Sequence, residues 1–151
     1  MQETLDRFDQ ALLRALQRNG ALTNADLAET VGLSASQCSR RRARLEAEGV
    51  ILGYHAQLNA VAIGHNIRAF VRVNLRSHSK EGARDFDRLV TTNPLIVEAV
   101  SVSGDADYVL SVACDTLETF AAFIHETLLP HDNIAQVRSE LVLRDQKKRH
   151  G

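Results

Sequence analysis

The sequence lacks the features that mark several common classes of protein. None of its apolar runs approaches the roughly 18 residues that a membrane-spanning helix needs, so no such helix is expected. No secretory signal peptide is recognisable either, which predicts a soluble, cytoplasmic protein. Two isolated cysteines, Cys38 and Cys114, lie in apolar patterns, and buried thiols are favoured over a disulfide.

Patterns for metal binding and catalysis are also missing. The six histidines do not have the spacing of metal ligands. The chain contains no glycine-rich phosphate-binding motif. No Ser/His/Asp or Cys/His pattern stands out, although spacing alone does not exclude one. Neither a metal nor a cofactor is therefore expected.

Net charge gives no general indication of nucleic-acid binding. The whole chain has a formal charge of −1, and residues 1–60 contain seven arginines and seven acidic residues. Positive charge is concentrated between Ser34 and Leu45, where there are four arginines and no acid. Such local charge can support specific DNA contacts, with a modest and salt-sensitive non-specific affinity.

This basic stretch is the second half of a predicted helix-turn-helix over residues 23–49. Thr23, followed by an acidic residue three positions on, can cap the first helix, and Gly32 supplies the left-handed conformation that ends it. Ser34 can begin the second helix, with Gln37 at the reciprocal position of a capping box. Two capped helices around a glycine turn are an arrangement that enters the major groove of DNA.

The second helix has two contrasting faces. Cys38, Arg42 and Leu45 recur at helical spacing and define one face. On the opposite face, arginine and glutamine can bond guanine and adenine edges, and serine and arginine can bond phosphates. A solvated basic face is the simpler alternative, but the caps and the glycine turn favour DNA binding. The candidate DNA-contacting residues are Ser34, Ser36, Gln37, Arg40, Arg41 and Arg44.

The predicted fold class is α+β, with an N-terminal winged helix-turn-helix followed by a ferredoxin-like βαββαβ domain. An amphipathic helix over residues 6–19 precedes the helix-turn-helix, and residues 50–58 are predicted to form a short β-hairpin or wing. The DNA-binding domain is expected to cover residues 1–60, a linker residues 61–66, and the second domain residues 67–151.

The second domain is predicted from a change in periodicity. Residues 67–75 alternate as a half-buried strand does, and Ser79 can cap a helix that ends at Asn93. Asp115 and Glu118 form a capping box for another helix. Further strands are predicted over residues 96–102, 108–114 and 134–143. Because helices cover only one face of such a sheet, a second copy is predicted to cover the other face in a homodimer.

The chain resembles the Lrp/AsnC family, the leucine-responsive or feast/famine regulators, in the segments LDRFDQALLRAL, ADLAETVGLSASQCSRRRARLEAEGVILGY and VSGDADYVLSV. The resemblance extends from Leu5 to about Lys148. It implies a transcriptional regulator with an N-terminal domain that binds double-stranded DNA at a pseudo-palindromic operator. It also implies a C-terminal domain that binds a small effector, usually an amino acid, and dimers that assemble further, often as an octamer of four dimers.

The resemblance places the effector between dimers, near the turn that joins the second and third strands of the second domain. Glycine lets a ligand approach the backbone, and a carboxylate can pair with an α-ammonium group. Without the resemblance, plain turn chemistry would be the preferred explanation of the two aspartates in this turn. The effector-binding candidates are Gly104, Asp105, Ala106, Asp107 and, on the last strand, Ser139 or its neighbour Glu140.

Two segments depart from the family pattern. Arg42 stands where the family usually has an aliphatic residue that faces the interior. A buried unpaired arginine would be costly, so Arg42 is expected to extend outward or to pair with Asp26 or Glu29. Residues 37–40 also differ from the leucine-responsive prototype, and its target sequence is therefore not transferred.

Two other functions are weighed against the regulator. A tetrapyrrole-processing enzyme can use the same two-domain scaffold, since fold does not determine function. Four arginines on one helix disfavour that alternative, and the chain is not expected to be an enzyme. A drug- or metal-responsive winged-helix repressor is disfavoured by the ferredoxin-like half and by the lack of ligand clusters.

Overall fold

A computed structural model describes residues 5–146 of the chain. Within that range, residues 5–57 form one compact unit and residues 58–146 form a second. The helices of the first unit are α1 (Arg7–Arg18), α2 (Asn24–Val31) and α3 (Ala35–Ala47).

Helices α2 and α3 begin at the caps that the sequence predicts. The Ser34 hydroxyl accepts a hydrogen bond from the Gln37 backbone N–H, and the Gln37 side chain accepts one from the Ser34 N–H. Thr23 and Asp26 make the same reciprocal pair at α2, and Gly32 ends that helix with a φ of 72°. The core of the first unit is formed by Leu12, Ala15, Leu16, Leu27, Cys38 and Leu45.

The segment after α3 differs from its prediction. Residues 50–58 form no strand, so the predicted β-hairpin or wing is absent from the described part of the chain. A strand needs a neighbour that satisfies its backbone groups, and within residues 5–146 this segment has no strand partner. Its Tyr54 side chain instead bonds to residues of α3.

The second unit confirms the predicted βαββαβ order. The elements are β1 (Ile67–Leu75), α4 (Lys80–Thr92), β2 (Ile96–Ser101), β3 (Tyr108–Cys114), α5 (Leu117–Ala122) and β4 (Ile134–Leu141). The four strands form one antiparallel sheet in the order β2-β3-β1-β4. Helix α5 continues directly as a π-helical segment, Phe123–Leu128.

The cap of α5 lies one residue later than predicted. Its N-cap is Thr116, whose hydroxyl accepts a hydrogen bond from the Thr119 N–H at 3.1 Å. The Asp115 carboxylate, predicted to cap the helix with Glu118, instead accepts from the adjacent Thr116 N–H at 2.8 Å. Asp115 thus bonds the next backbone N–H, and Thr116 takes the capping position.

Alternate residues of β1 separate the two faces of the sheet. Val71 and Val73 are fully buried in a core with Phe86 of α4 and Phe120 of α5. Phe70, which precedes Val71 on the same strand, points to the opposite face of the sheet and is 43% exposed. Within the described residues, the helices therefore cover one face of the sheet and leave the other face open.

Candidate DNA-binding surface and effector loop

The N-terminal half of α3 carries exposed polar side chains. Ser36, Gln37 and Arg40 are all exposed, and Ser36 and Arg40 lie opposite the buried Cys38 at helical spacing. The Ser34 hydroxyl is occupied by the cap and lies 3.1 Å from the Ser36 hydroxyl. Among residues 5–146, no ion pair or hydrogen bond holds the Arg40 guanidinium. This surface can therefore present an exposed cation and an amide to a polyanion.

Arg41 and Arg44, which the sequence places on the same exposed face, are turned towards α1. Arg41 Nη1 donates to Asp9 Oδ1 at 2.7 Å and to Asp6 Oδ2 at 2.8 Å. Arg44 Nη2 donates to Asp9 Oδ2 at 2.6 Å. The Asp9 side chain is only 1% exposed, and a buried carboxylate needs cationic partners, which explains why both arginines turn towards α1. We call Asp6, Asp9, Arg41 and Arg44 the anchor cluster.

The anchor cluster is also tied to the start of α1. The Asp6 carboxylate caps this helix by accepting from the Phe8 and Asp9 N–H groups, both at 2.8 Å. The bond from the Asp9 N–H, with the nearby Arg41 guanidinium, holds the pKa of Asp6 below its ordinary value. Hydrogen bonds to Asp9 and Asp6 raise the pKa of Arg41. Asp6 and Arg41 are therefore both charged at neutral pH.

Arg42 lies at the edge of the core and has other partners than the predicted Asp26 or Glu29. Its Nε donates to the Tyr54 hydroxyl at 2.8 Å and to Glu46 Oε1 at 3.2 Å, and its Nη1 donates to a backbone carbonyl before α2. The guanidinium also stacks 4.4 Å from the centre of the Tyr54 ring. Arg42 thus holds the segment after α3 against that helix.

The effector-binding candidates of the sequence form the turn between β2 and β3. Gly104 has a φ of 128°, a conformation that favours glycine. Ala106 is buried, whereas Asp105 is exposed, and its backbone carbonyl accepts from Asn74 Nδ2 at 2.7 Å. The Asp105 carboxylate therefore faces solvent at a turn whose backbone is fixed.

Asp107 has a structural task in this turn. Its Oδ2 accepts from the Leu75 N–H at 2.8 Å, and its own N–H donates to the Val73 carbonyl at 3.1 Å. Its other carboxylate oxygen lies 3.6 Å from His78 Nε2. Asp107 thus fits the plain turn chemistry that the sequence offers as the alternative for the two aspartates.

Ser139 does not lie beside the turn within one chain. It pairs with Val71, whereas the turn contacts β1 at Asn74, three residues or roughly 10 Å further along the strand. The β4 residue opposite Asn74 is Gln136. Sequence reasoning missed Asn74, Gln136 and His78, because only the strand register and the turn geometry bring them to this place.

The turn is open in the isolated chain. A cavity of about 530 Å³ in the second unit lies between α4 and residues 130–133, and the turn does not line it. Among the described residues, no three histidine, cysteine or acidic side chains are grouped to hold a metal ion.

None of the helices between residues 5 and 146 combines the length and apolar character that crossing a bilayer requires.

Comparison with known proteins gives matches to one family in both halves of the chain. The model of the AsnC-type helix-turn-helix domain matches residues 5–46, and that of the Lrp/AsnC ligand binding domain matches residues 68–151. A leucine-responsive regulatory protein of Rhizobium meliloti is 41% identical over 143 residues, which cover 95% of this chain and 92% of that protein.

Solved structures agree with these matches over the whole chain. A transcriptional regulator from Neisseria meningitidis, crystallised in complex with L-Met, superposes with a TM-score of 0.93 and 35% identity, covering 97% of this chain and 94% of the other. An AsnC family transcriptional regulator from Agrobacterium tumefaciens gives a TM-score of 0.89 and 34% identity, with coverage of 97% and 95%.

Proposed function

Because this chain belongs to the Lrp/AsnC family of transcriptional regulators, we propose that it binds a pseudo-palindromic operator through α3 and responds to an amino acid. The family resemblance inferred from the sequence is confirmed by matches that cover both units. The observation that carries the DNA-binding part is the capped N-terminal half of α3, whose polar side chains are exposed beside a helix-turn-helix core. If the effector alters operator affinity, operator binding must alter effector affinity by the same factor.

In this proposal the exposed residues of α3 have distinct tasks. Arg40 bonds a guanine edge or a phosphate, and the Gln37 amide bonds an adenine edge. The Ser34 and Ser36 hydroxyls lie at the N-terminus of α3, where a phosphate is favoured. Arg41 and Arg44, the other two candidates from the sequence, orient α3 through the anchor cluster and do not read bases.

The direct test is a mobility-shift titration with the DNA upstream of the gene that encodes this chain. We expect a saturable shift that survives an excess of random-sequence duplex and that weakens as salt rises, because phosphate neutralisation releases counterions. A shuffled fragment of the same length and composition is the control. Equal affinity for the two fragments would argue against sequence-specific binding to this DNA.

Self-association is proposed through the open face of the sheet. Phe70 and Val100 are each 43% exposed there, and Arg72 bonds Glu140 at 3.1 Å beside them. A second copy would cover these apolar side chains and bring two α3 helices to two half-sites. Further assembly into an octamer of four dimers is part of the same proposal.

A charge at the centre of that face should disrupt the dimer. Phe70→Glu is expected to raise the dimer dissociation constant at least about tenfold, because it places an unpaired carboxylate in an apolar interface. Light scattering after size exclusion, across a concentration series, measures the change. The control is Leu117→Glu, at a 53% exposed position on α5. Unchanged mass for Phe70→Glu across the series would place the interface elsewhere.

The proposed effector site is the turn Gly104–Asp107, with an amino acid as ligand. The structural neighbour from Neisseria meningitidis was crystallised with L-Met, which supports an amino acid as the class of ligand. Asp105 is the carboxylate of the turn that is available to an α-ammonium group. Ser139 and Gln136 are candidates if a neighbouring subunit completes the site.

A matched pair of variants separates ligand binding from turn structure. Calorimetric screening of the twenty amino acids should first identify a ligand of the wild-type protein. Asp105→Asn is then expected to weaken it by about 1.5–3 kcal/mol, the range for a charge-assisted hydrogen bond, with an unchanged melting temperature. Asp107→Ala is expected to lower the melting temperature as well, because it removes the carboxylate that accepts from the Leu75 N–H. Tight binding by Asp105→Asn would exclude the proposed role of that carboxylate.

A further inference from the structure

The four arginines of α3 present less charge to solvent than the sequence indicates. Arg41 bonds the carboxylates of Asp9 on α1 and of Asp6, the N-cap of that helix, and Arg44 bonds the carboxylate of Asp9. Arg42 bonds Glu46 and Tyr54. Arg40 is the remaining arginine of this helix, and it is exposed. An acidic pair on a neighbouring helix thus neutralises two of the cations that a DNA-binding helix could use.

We propose that Asp6 and Asp9 are specificity-determining residues, which withhold Arg41 and Arg44 from the phosphate backbone and so suppress non-specific DNA binding. This inference rests on the proposed DNA-binding function. Non-specific affinity comes almost entirely from phosphate neutralisation, whereas sequence discrimination comes from base contacts. Every DNA sequence offers the same phosphate contacts. Withholding them therefore lowers the affinity for non-specific DNA and raises the ratio of operator affinity to non-specific affinity.

The geometry explains why DNA would not simply displace the two carboxylates. The Asp9 side chain is 1% exposed, and its two oxygens are divided between Arg41 Nη1 and Arg44 Nη2. If either arginine swung out to a phosphate, a buried carboxylate would lose a charged partner, which is costly. Asp6 adds a second acceptor for Arg41 and is fixed in place as the cap of α1.

The test is the salt dependence of binding to a random-sequence duplex, followed by fluorescence anisotropy with the full chain. For Asp9→Asn we expect the slope of log K against log salt to steepen by up to about 0.9 for each arginine that gains a phosphate. At 0.1 M salt this corresponds to a roughly fivefold to tenfold tighter non-specific complex for each such contact. The ratio of operator to random-sequence affinity is expected to fall. Asp6→Asn should change the same quantities in the same direction by less, because Asp9 still holds Arg41.

Two further variants separate this role from a structural one. Glu29→Gln removes one negative charge from exposed α2 and should leave the slope close to that of the wild type. Adding Arg41→Gln and Arg44→Gln to Asp9→Asn should return the slope to the wild-type value. A merely structural Asp9 would instead give weaker binding to both duplexes and no such reversal.

The salt-dependence test gives a clear result even if one variant does not fold. An unchanged or shallower slope for a folded Asp9→Asn overturns the inference. If Asp9→Asn does not fold, Asp6→Asn decides, since asparagine is as good a helix cap as aspartate; an unchanged slope for it overturns the inference too. If the wild-type protein binds neither duplex, the proposed DNA-binding function itself fails, and that result is distinct from both.

Discussion

Replacement of Arg40 by alanine is expected to cost about 1–3 kcal/mol of operator binding for each subunit whose α3 reads a base, and so roughly 2–6 kcal/mol for a symmetric dimer. Arg40 is the arginine of α3 that is exposed and that no described residue holds in an ion pair. Its guanidinium can reach DNA without giving up a bond inside the protein. Anisotropy titrations with the operator fragment at fixed salt measure the loss.

The structure offers a matched control for Arg40→Ala. Arg14 is an exposed arginine on α1, so Arg14→Ala removes the same charge from the same unit away from the reading surface. We expect less than about a threefold effect from it, since one distant charge is largely screened at physiological salt. Both variants should keep the wild-type melting temperature, because surface substitutions away from packed features rarely change stability by more than about 0.5 kcal/mol. Equal losses for the two variants would mean that Arg40 acts only through net charge.

The orientation of Arg41 and Arg44 shows which features of α3 could be predicted from the sequence and which could not. At 100° per residue, Arg41 lies only about 60° from Cys38 on the helix, closer to the buried face than to Arg40. Asp9 likewise precedes Leu12 and Leu16 at helical spacing, which puts an acid on the buried stripe of α1. A buried acid predicts a basic partner. Which arginine it meets depends on how α1 packs against α3, and local patterns do not determine that packing.

The second unit gives a similar contrast between local and non-local information. The alternation of β1 and the cap of α4 at Ser79 are local signals, and both are confirmed. The register of β4 against β1 cannot be predicted from a local signal, because it depends on pairing between distant segments. It also shifts between Asn74 and Leu75. Residues 50–58 show the same dependence on pairing, since their sequence is typical of a strand but they form none without a partner segment. Pairing partners, more than strand propensity, decide these cases.

Phe86→Ala is expected to lower the stability of the second unit by about 3–5 kcal/mol, the usual cost of truncating a buried aromatic side chain. Phe86 is 1% exposed, and its ring centre lies 4.6 Å from that of Tyr108 at the start of β3. The substitution leaves a cavity under the sheet and removes this aromatic contact. Hydrogen exchange followed by mass spectrometry should show lost protection in β1 and β3 and retained protection in α1–α3, because the two cores share no residues.

Val97→Ala is the control for this prediction, because Val97 is 61% exposed on β2 and its truncation should change stability by no more than about 0.5 kcal/mol. Equal loss of protection in α1–α3 and in the sheet for Phe86→Ala would mean that the two units unfold together.

A milder variant, Phe86→Leu, keeps most of the core volume and should remain folded. Since Tyr108 directly follows Asp107, loss of its aromatic neighbour should loosen the turn and weaken amino-acid binding while the sheet stays intact. Unchanged binding by Phe86→Leu would show that the turn is held by the Asp107 bonds alone.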